Sequence, residues 1–252
     1  MIIEESDVRL AARLAGEAGE ILLALQRSGN FSGDGLGDEG DRAANAYLIR
    51  ALREARPEDA LLSEEEKDSD ARLSARRVWI IDPLDGTREY REGRSDWAVH
   101  VALAIDGVAI VGAVAMPALG KTYSSGDRNR LSKPNKPLKM LVSRTRPAPE
   151  AVAVAKALGA ELLPMGSAGA KAMAVVRGDA DIYLHTGGQY EWDNCAPVAV
   201  AVAAGLHCSR VDGSPLVYNN RDTYLPDLLI CRKDRAAEII ALAARPVSSL
   251  LL

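Results

Sequence analysis

An apolar run at 78–81 ends in Asp82-Pro83-Leu84-Asp85-Gly86-Thr87. A carboxylate closes the strand, and proline then removes the next ladder donor. A second carboxylate follows three residues later. A turn here brings Asp82 and Asp85 to one side and frees the Leu84 carbonyl to face the same point. Gly86 permits close backbone approach, and Thr87 adds a hydroxyl. Hard divalent cations take oxygen donors of this kind. An isolated D-P-x-D-G would equally suit a plain turn with solvated aspartates. The apolar run before it and the threonine after it favour a site.

Two more carboxylates stand at element ends. Glu64 is the first acid of LLSEEEKDSD and the one nearest a predicted strand; the remainder of that run reads as a solvated face. Asp193, in EWDNCAP, lies where a helix begins, a position that also suits an ordinary helix cap. Two carboxylates ~5 Å apart at an effective dielectric of ~20 repel by ~3 kcal/mol. Several around one point must therefore shift their pKa values, move apart or take up a cation. Without a His or Cys cluster beside them, Mg²⁺ is the expected ion. Further on, Met165-Gly166-Ser167-Ala168-Gly169-Ala170-Lys171 joins a Gly-rich turn to a helix, where backbone amides and Lys171 could receive an anion or simply cap the helix. His100, inside WAVHVALAI, reads as a satisfied strand residue rather than a catalyst, and His185 and His207 are assigned no role.

The elements that must position these groups follow from periodicity. Helices are predicted at 7–27, capped by Ser6, and at 41–55, stopped by Pro57. Five glycines between 28 and 40 predict a long flexible loop. A short strand near 60–63 precedes the 78–81 strand, and 97–105 with 108–116 forms a hairpin turned at Asp106-Gly107. A third strand, 122–124, follows a further turn. The polar, proline-bearing stretch 126–137 divides the chain into halves, 1–130 and 131–252. Alternation then resumes: strand 138–143, helix 149–158, strand near 162, helix 167–177, strand 181–184, helix 194–204, strand 228–231 and helix 235–244. The fold class is α/β, with layered sheets and helices.

Composition excludes several functions. With 48% hydrophobic residues and a net charge of −4 over 252 residues, the whole chain is not disordered, and its overall field favours neither nucleic acid nor an anionic membrane. Aromatics at 4% argue against a base-stacking surface for polymeric nucleic acid. Three widely spaced cysteines make neither a disulfide framework nor a zinc site. The acidic N-terminus is unlike a signal peptide, and no apolar run reaches the ~20 residues that span a bilayer. A cytoplasmic location is expected.

Glu64-Glu65, WIIDPLDGT and EWDNCAP together resemble the inositol monophosphatase superfamily of magnesium-dependent, lithium-sensitive phosphatases, and the resemblance spans nearly the whole chain. It implies an α/β/α/β/α sandwich. It also implies two or three Mg²⁺ ions held by Glu64, Asp82, Asp85, Asp193 and the Leu84 carbonyl, with Asp41 and Thr87 positioning and deprotonating the attacking water. The threonine and lysine usual before Asp41 are replaced by Gly37-Asp38-Glu39-Gly40. GSAGAK and DPLDGTREY resemble the bacterial nucleotide-bisphosphate branch, which removes the 3'-phosphate of 3'-phosphoadenosine 5'-phosphate to give AMP and is linked to sulfate assimilation. That branch implies Gly86, Ser143, Arg146, Ser167 and Lys171 around the substrate, a small-molecule partner, and a monomer or homodimer. Inositol 1-phosphate or fructose 1,6-bisphosphate hydrolysis, alone or alongside, is the rival within the family. A non-catalytic ligand-binding module is the rival outside it. A phosphatase using an aspartate nucleophile in a D-x-D arrangement is disfavoured, because the second aspartate lies at +3.

Overall fold

A computed structural model describes residues 6–127 and 131–250. Part of the 126–137 stretch lies outside these residues. The helices are α1 (Asp7–Ser28), α2 (Gly33–Ala55), α3 (Thr87–Arg91), α4 (Pro149–Leu158), α5 (Ala168–Val176), α6 (Glu191–Ala203), α7 (Ala236–Ala243) and α8 (Val247–Leu250). The strands are β1 (Ala60–Ser63), β2 (Arg77–Asp85), β3 (Ala98–Ile105), β4 (Val108–Met116), β5 (Lys121–Ser124), β6 (Lys139–Ser143), β7 (Glu161–Met165), β8 (Ile182–Tyr190), β9 (His207–Ser209) and β10 (Tyr224–Cys231).

Two five-stranded sheets form, in the orders β1-β2-β3-β4-β5 and β7-β6-β8-β10-β9. The first is antiparallel except for β1 beside β2; in the second, β6 runs parallel to β7 and β8. Strand side chains alternate between faces, and the alternation assigns the layers. Trp79, Ile81, Val99, Val101 and Leu103 pack on the outer helices α1 and α2. Val78, Ile80, Ala98, Ala102 and Ala104 turn the other way, towards α5 and α6. Those two helices are buried nearly all round, which suits an inner layer between sheets. Leu141, Tyr183, Leu228 and Ile230 close that core from the second sheet. Met140, Val142, Ile182 and Leu184 face the last layer, α4, α7 and α8. The result is the expected α/β/α/β/α sandwich.

The inner layer is built of small residues so that helices and strands can approach. A Cβ on Gly112 of β4 would strike the Ala196 carbonyl and come within 2.8 Å of the Ala199 Cβ on α6.

One expectation is overturned. The segment 28–40 is not a flexible loop, because α2 already starts at Gly33 and only 29–32 connect it to α1. Its glycines are sites of close packing. A Cβ on Gly37 would lie 2.7 Å from Thr87 Cγ2, and one on Gly40 would lie 3.0 Å from the Tyr90 ring and 3.2 Å from Leu84. Tertiary contact with the α3 region thus overrides the low helix propensity of glycine. The helix carries Asp41 on its third turn. Strand β9, α3 and α8 were not anticipated, being three to five residues long.

Gly112→Ala is expected to lower stability by about 1–3 kcal/mol through overpacking against backbone that has nowhere to move. Urea denaturation checks this as a lower midpoint with an unchanged slope; an unaltered midpoint would contradict the packing described.

Candidate metal centre and substrate cavity

Asp82 and Asp85 are three residues apart, so a regular strand would send them to opposite faces. The β2–β3 register shows how they come together. Asp82 pairs with His100 and Asp85 with Ala98, so three residues on β2 span two on β3. The extra residue is a bulge, next to Pro83, that resets the alternation. Both carboxylates, Ala98 and His100 then share the face towards α5 and α6. The start of α6 brings Asp193, and ligand atoms of Asp82, Asp85 and Asp193 all lie within 4.8 Å of one another.

Each carboxylate is held differently. Asp82 is buried, and its Oδ1 accepts from the Leu84 amide at 3.0 Å. Asp85 caps α5: Oδ2 accepts from the Ser167 hydroxyl at 2.5 Å and the Gly169 amide at 2.6 Å, and Oδ1 from the Ala168 amide at 3.1 Å. His100 Nε2 lies 3.2 Å from the same Oδ2. Asp193 Oδ2 accepts from the Tyr190 amide at 2.6 Å. Glu64 follows the end of β1 at the solvent rim. Thr87 donates to the Leu84 carbonyl at 3.2 Å, and the same hydroxyl sits against Asp41.

The charges are poorly reconciled by protein alone. Desolvation, then repulsion from Glu65, pushes Asp41 up to about 7, against the opposing effect of the nearby Thr87 hydroxyl. Desolvation and then the charges of Asp193 and Asp41 push Glu64 up to about 8, although its rim is open to solvent. Desolvation and the charge of Asp85 push Asp193 up to about 6. Asp82 rises well above its ordinary range through burial, then through Glu64 and Asp85. Asp85 alone falls, to about 2, because His100, Ser167 and the Gly169 amide outweigh its burial. Converging, desolvated oxygen donors fit a hard divalent cation, which would relieve this repulsion.

Beside the acids opens a cavity of about 610 Å³, lined by residues that include Gly86, Thr87, Arg88, Ser143, Arg146, Ser167 and Lys171. All five residues expected at the substrate line it. Gly86 holds φ +93, and its missing Cβ leaves room for Ser167, 3.1 Å from where that atom would be. Ser167 adopts φ 28, rarely tolerated outside glycine, while its oxygen caps α5 at the Ala170 amide. Ser143 accepts from the Arg146 amide at 3.2 Å. Lys171 is buried, and its Nζ donates to the Gly166 and Ser167 carbonyls at 2.5 and 2.7 Å, fixing the turn; desolvation lowers it to about 8.

Sequence reasoning missed four residues here. Arg144, just past β6, reaches the α3 region, donating to Glu89 at 2.8 Å and Glu92 at 2.7 Å. Glu89 fills the space above Gly166, where a Cβ would not fit. Arg88 is exposed on the wall, and among the described residues neither it nor Arg146 has a carboxylate partner. His100 is the fourth: the alternation Ala98, His100, Ala102, Ala104 aims it at the helix layer, a signal available in the sequence.

A buried acidic cluster on a layered sandwich, opening into a cationic cavity, defines a metal-dependent phosphate-ester site. The match of residues 5–247 to the inositol monophosphatase family model places the chain in that family. A 3'-phosphoadenosine 5'-phosphate phosphatase of Mycobacterium leprae is 51% identical over 249 residues, covering 92% of both chains. The 3'(2'),5'-bisphosphate nucleotidase CysQ of Escherichia coli is 30% identical over 197 residues, covering 73% of this chain and 80% of its own. The crystal structure of CysQ from Bacteroides thetaiotaomicron superposes with a TM-score of 0.79 at 25% identity, covering 90% of this chain and 97% of that one.

Raised carboxylate pKa values make the metal-free fold bind more protons than the unfolded chain between about pH 4 and 8, so these groups favour folding at the acid end and lose that contribution as pH rises. The window of Asp85 lies below pH 4 and adds nothing there. In chelator, Glu64→Gln is expected to flatten the decline in melting temperature from pH 5 to 8 relative to wild type. Thermal melts at half-unit pH steps measure this, and parallel curves would exclude Glu64 from the coupled cluster.

Proposed function

We propose that this chain is a Mg²⁺-dependent 3'(2'),5'-bisphosphate nucleotidase that hydrolyses the 3'-phosphate of 3'-phosphoadenosine 5'-phosphate, releasing AMP and phosphate. The observation that carries this reading is the shared wall. Gly86, Thr87 and Ser167 border the cationic cavity, and they adjoin Asp85 in sequence or, for Ser167, through a hydrogen bond. One phosphate then reaches the acids while a second meets cations. A monophosphate needs no second cationic subsite. The two relatives named above, acting by their names on 3'-phosphoadenosine 5'-phosphate and on 3'(2'),5'-bisphosphates, support the same substrate.

In this reading Asp82, Asp85, Asp193, Glu64 and the Leu84 carbonyl hold two or three Mg²⁺ ions. Bound there, the ions supply charge neutralisation for the phosphate oxygens and acidify a water. The chain contributes orientation and proton transfer. Asp41 is the base that takes the proton of the attacking water in this reading, and Thr87 beside it orders that water through its hydroxyl. The unpaired guanidinium groups of Arg88 and Arg146 face the cavity and suit the 5'-phosphate, since planar guanidinium binds phosphate through paired donors. Arg144, committed to Glu89 and Glu92, instead braces the wall. Among the described residues no helix is long and apolar enough to cross a membrane. A cytoplasmic role in clearing the nucleotide by-product of sulfotransfer or sulfate reduction is consistent with this.

Phosphate release should show a kcat/KM for 3'-phosphoadenosine 5'-phosphate ~100-fold or more above inositol 1-phosphate and fructose 1,6-bisphosphate, or ~2.7 kcal/mol in the transition state. Arg146→Ala is expected to raise KM for the nucleotide about tenfold or more, from loss of a charge-assisted phosphate contact, and to raise it less for the monophosphate. Equal rates on all three substrates would leave a broad phosphatase and remove the second-phosphate pocket.

A further inference from the structure

We infer that His100 is a positioning residue of the metal centre, a single imidazole that sets the spacing of the elements carrying Asp82, Asp85 and Asp193. The inference rests on the metal-site reading above. His100 is fully buried and stands opposite Asp82 in the β2–β3 ladder. Nε2 lies 3.2 Å from Asp85 Oδ2 and has no hydrogen-bond partner among the described residues. Nδ1 lies 3.0 Å from the Trp192 carbonyl, one residue before Asp193, and 3.9 Å from Asp82 Oδ2. One side chain therefore touches β2 on both sides of its bulge and the first turn of α6.

The ligand atoms that converge are those of Asp82, Asp85 and Asp193, and His100 is not among them; its imidazole lies against these acids and against α6. Its place is also moulded by α5. A Cβ on Gly169 would fall far inside van der Waals contact with Nε2, and the Gly169 amide donates to the same Asp85 oxygen. Asp85 Oδ2 is thus surrounded by Ser167, Gly169 and His100, while Oδ1 has one protein partner. A carboxylate held on one oxygen keeps capacity on the other. Groups that orient metal ligands in this way typically contribute 10–100-fold to metal affinity.

The test compares full-length wild type, His100→Asn and Gly169→Ala, stripped with chelator and titrated with Mg²⁺ by calorimetry. Steady-state kinetics at saturating Mg²⁺ follow in parallel. His100→Asn is expected to weaken Mg²⁺ binding tenfold or more, while KM for the nucleotide at saturating Mg²⁺ stays within threefold of wild type. Gly169→Ala, which keeps the imidazole but drives it off its seat, is expected to weaken Mg²⁺ in the same direction, and the double variant no more than the weaker single. Wild-type Mg²⁺ affinity in His100→Asn would overturn the inference. Should that variant not fold, wild-type affinity in Gly169→Ala would overturn it instead. A wild type that takes up no Mg²⁺ would overturn the metal-site reading, and this inference with it.

Discussion

Carboxylates repel, and this fold forces several of them into one desolvated corner. Asp82, Asp85 and Asp193 present atoms within 4.8 Å of one another, with Glu64 and Asp41 close enough to perturb them. That concentration of charge is unfavourable to folding without a cation, and much of the surrounding architecture answers it. The bulge in β2 turns two aspartates the same way. The amide-rich start of α5 stabilises one of them as an anion. The inner helices are nearly all alanine, glycine and valine on their sheet-facing sides, so the elements carrying the acids can be brought together at short range.

The cavity depends on the same seam. Its floor is the turn before α5, held by Lys171 through two carbonyls and by Asp96, whose Oδ2 accepts from the Gly166 amide at 2.7 Å. Its side wall is Arg144 clasped by two glutamates of the α3 region. Ion pairs at a surface contribute little, but this pair includes the buried Glu89 and has the geometry of a brace. Arg144, with its carboxylate partners, holds the wall, and Arg88 and Arg146, without any among the described residues, stay open to the cavity.

Much of this was legible in the residues. An apolar strand ending in two aspartates around a proline, and an aspartate at a helix start, announced the acidic cluster. Early antiparallel strands and the later alternation of strands and helices announced layered sheets and helices, and the family resemblance implied their five-layer order. The glycines of 33–40 misled, because propensity describes an isolated chain while these positions answer to Thr87, Tyr90 and Leu84 packed against them. His100 was undervalued for a related reason: a strand residue's chemistry depends on what lies opposite it, and that is a matter of register. Arg144 and Glu89 lie 55 residues apart, a separation over which local pattern carries no information.

The five layers have a consequence for how such a protein can change. Asp82 and Asp85 lie on β2 of the first sheet and Glu64 just past β1, whereas Ser143 ends β6 of the second and Arg146 follows it. The two sets meet only at the seam. Substitutions in the loop after β6 can therefore reshape one wall of the cavity while the acidic cluster is left untouched.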